Sequence, residues 1–258
     1  MRALYQESFG EDNGAAPLVL LHGWALNLRV FDALAGQLAT GRRVIRIDLP
    51  GHGRSTWDTS LAPFGKQFEL LLGALPERCD LLGWSLGGLY SMALAAREPE
   101  RIGKLVLVAC TPRFEATEGW AQGMAAPVVQ QFANTLLANY KQGVKDFLEL
   151  QVRGSSNAEY SLAQLQRALL AHGDAQPSAL NAGLAILRRV DLRGQLAGIR
   201  APALVIAGQY DRVARPAASE FIAQQIPGAQ YLLMHRAAHA PFLSHPDEFA
   251  SAVAGFLA

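Results

Sequence analysis

Short apolar runs recur along the chain, each closed by Gly, Pro or Asp or by a loop: Leu18–Leu21, Val44–Ile47, Leu81–Leu82, Leu105–Ala109, Leu204–Ala207 and Tyr231–Met234. Runs without period-2 alternation suit strands covered on both faces, which means a parallel sheet. Between most of them lie helical patterns. Leu89, Met92, Ala93 and Ala96 fall at i, i+3, i+4 and i+7, and Phe249, Val253 and Phe256 close the chain in the same way. Strand and helix in alternation predict an α/β fold, a mostly parallel central sheet flanked by helices.

One stretch departs from this rhythm. From about Pro112 to Arg189 no strand pattern appears, but four helical faces do: Val128, Phe132 and Leu136; Tyr140, Val144, Phe147, Leu148 and Gln151; Leu162, Leu165, Leu169 and Leu170; Leu180, Leu184 and Leu187. Gly154 and Gly173 break the helices, and Pro177 suits the first turn of the fourth. The expected organisation is an α/β core over residues 1–111 and 190–258, with an inserted all-helical cap over residues 112–189 lying across the strand ends.

Composition narrows the class. Half of the 258 residues are hydrophobic and 17% are charged, enough apolar surface for a core. Lys and Arg number 23 against 22 Asp and Glu, with no block of like charges, so nucleic acid is not expected as a partner. The apolar runs are strand-length, far short of the roughly 20 residues that cross a bilayer, and no apolar stretch follows Arg2. The expectation is a cytoplasmic protein. Cys79 starts one expected strand and Cys110 ends its neighbour. Five residues at ~3.3 Å rise separate those sheet edges by roughly 16 Å, beyond the ~7 Å reach of a disulfide, so both thiols are expected free.

The chemistry concentrates at strand ends. Gly83-Trp84-Ser85-Leu86-Gly87-Gly88 follows an apolar strand and precedes a helix. A serine at such a turn is held out above the sheet edge, and the helix N-terminus behind it favours a developing oxyanion. Ser85 is the expected nucleophile. It needs a base, and the base needs an orienting carboxylate, in the chain order Ser, Asp or Glu, His. Asp211 stands just past the run Leu204–Ala207. His235 and His239 both follow Tyr231–Met234; His239, in a loop of small residues, is favoured over His235 at the strand end itself. His22, His52, His172 and His245 have no carboxylate at the required place in that order. The oxyanion needs two backbone donors, one from Leu86 after the nucleophile and one from the turn Leu21-His22-Gly23-Trp24, which makes the Trp24 N–H the candidate. Metal-ligand spacing is absent around both cysteines, and no cofactor is signalled.

These motifs, with Asp48-Leu49-Pro50-Gly51-His52-Gly53-Arg54-Ser55, resemble the α/β-hydrolase fold across nearly the whole chain. Narrower features look like the pimeloyl-(acyl-carrier protein) methyl ester esterases of biotin synthesis: His22-Gly23-Trp24, the Ser85 motif, Phe147-Leu148-Glu149-Leu150-Gln151, Asn181–Leu187, Val190–Arg193 and Ala237–His245. The resemblance implies hydrolysis of a methyl ester carried on acyl-carrier protein without a cofactor. It gives Ser85, Asp211 and His239 as triad and Trp24 and Leu86 at the oxyanion. Phe147, Leu148, Glu149, Leu150 and Gln151 would then line the acyl channel. The implied partner is acidic, yet residues 112–189 carry seven Lys and Arg against six Asp and Glu. A broad carboxylesterase or lactonase acting on small-molecule esters with the same triad is the competing expectation. Members of the fold with an Asp nucleophile are excluded by Ser85.

Overall fold

The computed structural model describes residues 4–173 and 175–258. Among these residues seven strands form one sheet: β1 Gln6–Phe9, β2 Leu18–Leu21, β3 Val44–Ile47, β4 Cys79–Trp84, β5 Ile102–Val108, β6 Ala203–Gly208 and β7 Gln230–Met234. Their spatial order is β1-β3-β2-β4-β5-β6-β7, parallel throughout except that β1 runs antiparallel to β3. Six strands coincide with the apolar runs, because β2, β3, β4 and β6 are buried along their whole length. The edge strand β1 carries no such signal: Gln-Glu-Ser-Phe is largely exposed. Backbone pairing and charge hold it instead. Glu7 sits opposite Arg46 in the register, and its carboxylate lies 2.6 Å from the Arg46 guanidinium, which is wholly buried. Asp32 also ion-pairs with Arg46, so the charge buried within β3 is compensated, as burial requires.

Helices cross between the strands: α1 Asp32–Leu38, α2 Phe64–Ala74 and α3 Leu86–Arg97. Four more, α4 Ala126–Ala138, α5 Tyr140–Val152, α6 Ala158–Ala171 and α7 Pro177–Arg189, fall between β5 and β6. Then come α8 Pro216–Gln225, the single turn α9 Pro241–Ser244, and α10 Pro246–Leu257. Helix α3 is buried from Leu86 to Ala95 against the central strand β4. The stretch between β5 and α4 forms only isolated bridges, Glu115 with Met124 and Thr117 with Trp120.

The α4 face differs from its expected one. Val129, Ala133 and Leu136 are buried, whereas Val128 is 52% exposed. Val128 and Phe132 turn instead toward a pocket described below. Leu170 of α6 is likewise exposed, with Leu165 its buried core residue. Simple periodicity reads one apolar stripe per helix, but a helix with a core on one side and a pocket on another carries two. Both cysteines are free and buried. Burial pushes the Cys79 thiol up to about 12, and burial with the nearby Asp211 charge raises Cys110 further, so neither supplies a thiolate. Among the described residues no helix is long and apolar enough to cross a membrane.

Candidate active site

Parallel strands deliver their C-terminal ends to one edge of the sheet, and ligands of open α/β sheets bind along such an edge. Here β4 leads into Ser85, β6 into Asp211 and β7 into His239. Ser85 has φ 55° and ψ −115°, an unfavourable conformation for a residue with a side chain. The cost, of order 1–3 kcal/mol, is sustained because the surroundings leave no alternative. Gly87 makes the tight turn possible: a Cβ there would lie 2.1 Å from the Leu21 carbonyl oxygen. The Ser85 N–H donates to the Val108 carbonyl at 3.0 Å, locking the turn to β5.

Asp211 is buried, and its two oxygens have separate duties. Oδ1 accepts from the Val213 and Ala214 N–H groups at 2.8 and 2.9 Å, and Oδ2 lies 2.8 Å from His239 Nδ1. A carboxylate only accepts, so Nδ1 carries the proton and Nε2 holds the free lone pair. That Nε2 is buried with no hydrogen-bond partner among the described residues. The His239 backbone is fixed at both ends: its N–H donates to the Gln151 carbonyl on α5 at 2.9 Å, and its carbonyl accepts from Trp84 Nε1 at 2.7 Å. His235 is exposed one residue past β7.

The Trp24 ring is buried and lines the pocket with Ser85. Its indole N–H donates to the Leu180 carbonyl of α7 at 3.0 Å. Leu86 is the first residue of α3, where backbone N–H groups have no intrahelical acceptor. The pocket is narrow, about 60 Å³, and among the described residues Ser85 lines it beside apolar and aromatic side chains. Val128 and Phe132 of α4, Phe147 and Leu150 of α5, and Leu184 and Leu187 of α7 form most of its walls.

Of the five expected channel residues, Phe147 and Leu150 line this pocket and Leu148, Glu149 and Gln151 do not. A helix turns only every third or fourth residue to one side. Leu148 faces a separate groove of about 250 Å³ between α5 and α6, with Lys141, Lys145 and Leu169. Glu149 is half-buried. Gln151 is buried with both amide atoms unpartnered among the described residues, and meets the site through its carbonyl on His239.

A polar seam escaped sequence reasoning. His172, at the end of α6, places Nδ1 3.3 Å from Asp48 Oδ2 and Nε2 3.8 Å from Glu7 Oε1. Asp48 in turn accepts from the Leu28 and Arg54 N–H groups at 2.7 and 2.9 Å. Burial raises its carboxyl above the ordinary carboxylate range despite those bonds. No spacing rule links positions 48 and 172, so only the folded chain shows the pair. His22 is a strut: Nδ1 bonds the Gly23 carbonyl at 2.8 Å, and Nε2 accepts from the Leu49 N–H at 2.9 Å. Burial holds its pKa far below the ordinary value, and burial holds that of His52 at about 4.

These two depressed values carry a pH prediction. The unfolded chain takes up protons at His52 below about pH 6.5 while the folded chain does so only near 4. Stability from this residue is therefore complete above about pH 6.5 and declines as pH falls toward 4. Urea midpoints measured across that window are expected to fall, and a His52→Asn variant to show a shallower decline.

A family model of the alpha/beta hydrolase fold matches residues 16–246. A curated pimeloyl-(acyl-carrier protein) methyl ester esterase of Nitrosomonas europaea is 39% identical over 242 residues, covering 93% of this chain and 96% of that protein. The protein of the same name from Serratia marcescens is 37% identical over 258 residues, covering 100% and 99%. Among solved structures, a hydrolase from Pseudomonas aeruginosa PA01 superposes with TM-score 0.81 at 30% identity, covering 98% of this chain and 94% of that one. An enol-lactonase from Burkholderia xenovorans LB400 superposes with TM-score 0.80 at 27% identity, covering 98% and 96%. The chain belongs to the alpha/beta hydrolase family and, within it, to the pimeloyl-(acyl-carrier protein) methyl ester esterases.

Proposed function

We propose that this protein is a serine carboxylesterase that hydrolyses the methyl ester of a pimeloyl chain borne on acyl-carrier protein, in biotin synthesis. The observation that carries the reading is the match to relatives of that name over nearly the whole chain, residues 112–189 included. The pocket chemistry supports it: walls that are apolar except for Ser85 suit a chain of methylene groups ending in a neutral ester.

In this reading Ser85 Oγ attacks the ester carbonyl while His239 Nε2 takes its proton. The Trp24 and Leu86 N–H groups receive the oxyanion, and Asp211 stabilises the imidazolium. The proton passes to the departing methoxide, which leaves as methanol. Water, deprotonated by the same Nε2, then attacks the acyl-serine and releases the acid. No step calls for a metal or cofactor. Residues 112–189 act as the cap over the acyl chain, with Phe147 and Leu150 as its channel walls. The deciding experiment compares methyl pimeloyl-carrier protein with free short-chain esters, alongside rescue of biotin-free growth in a strain lacking its own esterase. Preference for the free esters together with failed rescue would favour the broad carboxylesterase or lactonase reading, to which the likeness to an enol-lactonase lends weight.

The carrier protein is acidic, and Lys141, Lys145 and Arg153 are exposed on and just after α5. Asp146, bonded by Gln142 at 2.6 Å, and Glu149 lie among them. If the three cations steer docking, reversing all of them to Glu lowers kcat/KM for carrier-bound substrate by about tenfold and leaves a small uncharged ester near the parental rate. Added salt is expected to act on the parent in the same direction, since exposed charges are screened over about 8–10 Å. Equal rates on both substrates for parent and variant, at any salt, would remove this patch from docking.

A further inference from the structure

We infer that helix α7 holds the Trp24 loop in its working position, through the bare α-carbon of Gly183 and the carbonyl of Leu180, so that Gly183 is a positioning residue for ester hydrolysis. The inference rests on the proposed esterase reading, in which the Trp24 and Leu86 N–H groups receive the oxyanion.

Glycine is disfavoured in a helix interior, yet Gly183 sits at the middle of the 13-residue α7. What it faces explains the choice. A Cβ at this position would lie 2.8 Å from Trp24 Cδ1, 3.1 Å from Trp24 Nε1 and 3.7 Å from Leu86 Cδ2. One missing methyl group thus opens onto the side chains of both oxyanion residues. One turn earlier, the Leu180 carbonyl accepts the Trp24 indole N–H at 3.0 Å. The same helix therefore supplies a polar anchor and a steric recess for one ring.

That ring has nowhere else to go. Phe132 and Phe147 meet it edge-on, at 5.4 and 5.1 Å between centroids, and it is 2% exposed. Its backbone is equally confined. A Cβ on Gly23 would lie 3.2 Å from the Ser85 Cβ, and Ala25 on the other side has φ 66°. A second bond ties the loop to the neighbouring helix, from Asn27 Nδ2 to the Ala168 carbonyl of α6 at 2.7 Å. With ring and backbone both packed, a shift of the indole is transmitted to the N–H beside the nucleophile. The helical cover does more than shelter the acyl chain: the oxyanion site is complete only when α7 is seated.

The test is Gly183→Ala in the full-length protein, read with p-nitrophenyl butyrate and with a p-nitrophenyl alkylphosphonate. The phosphonate forms a covalent adduct on the nucleophilic serine and places its P=O where the oxyanion develops. The expected result is a fall in kcat of about 10–100-fold with KM within about threefold, and phosphonylation slowed by a similar factor. In a Trp24→Ala background the ring atoms that the methyl group would meet are gone. There, adding Gly183→Ala is expected to cost less than about threefold, a non-additivity that general loosening of the fold does not produce. If the single variant does not fold, the double variant still decides: folded and as active as Trp24→Ala, it supports the inference, and unfolded, it overturns it. A rise in KM with kcat unchanged, or the same loss in both backgrounds, also overturns it. A parent that is not phosphonylated at Ser85 brings down the esterase reading and the inference with it. A parent labelled at Ser85 and a Gly183→Ala variant labelled equally fast bring down the inference alone.

Discussion

Replacing Ser85 with alanine is expected to lower kcat for ester hydrolysis by roughly 10⁴–10⁶ while leaving the folded structure intact. The hydroxyl makes no hydrogen bond that the fold depends on: the turn is locked by the Ser85 backbone N–H and by the close approach of Gly87 to Leu21. Alanine keeps that backbone and its positive φ, so the thermal midpoint should stay within a few degrees of the parent. His239→Ala is expected to come close to the same loss, because in the proposed mechanism the nucleophile and its base act as one unit. For the same reason the double variant should be no worse than either single one. His235→Ala is the contrast. Its ring is exposed past the end of β7, and most activity should survive. An inactive His235→Ala beside an active His239→Ala would reverse the assignment of the base.

Asp211→Asn is expected to reduce kcat by roughly 10³–10⁴ with KM little changed. The amide oxygen can still accept from Val213 and Ala214, so the turn after β6 keeps its bonds and the fold should hold. What changes is the other half of the group. Where Oδ2 now accepts the His239 Nδ1 proton at 2.8 Å, an amide nitrogen would donate. The imidazole then turns to the tautomer with its proton on Nε2, the atom that takes the serine proton in the proposed mechanism, and the imidazolium loses its counter-charge. A pH–rate profile with single-turnover measurements separates this from a binding defect. A loss below about tenfold would mean that a different carboxylate orients His239.

Much of this was open to reading in the chain itself. Continuous apolar runs suit burial on both faces, which marks β2 to β6 and their parallel arrangement, while the edge strand β7 is marked by its apolar run Tyr231–Met234 although it is only partly buried. Ser85 stands between Gly83 and the pair Gly87-Gly88 at a strand-to-helix turn, and Asp211 and His239 each follow an apolar strand. A parallel sheet must bring those ends to one edge, so the placement of the three groups follows from local signals. Strand β1 was not legible, because a largely exposed edge strand is held by backbone pairing and by the Glu7–Arg46 contact rather than by an apolar run.

The segment 112–189 divides differently. Its four helices are visible from periodicity, and so are their breaks at Gly154 and Gly173. Which residues of α5 face the pocket is not. Phe147 and Leu150 do, while Leu148 faces α6 and Gln151 turns inward beside His239, because a helix direction is set by what it packs against. The polar contacts between helices and core (His172 with Asp48, Leu180 with Trp24, Gln151 with His239) span 124, 156 and 88 positions, distances over which no local pattern acts. Local propensity and burial determined the strands, the helices and the strand-end chemistry; only tertiary packing decided how the helical segment closes on Trp24 and His239, since side chains far apart in sequence become partners only once the sheet and its cover have met.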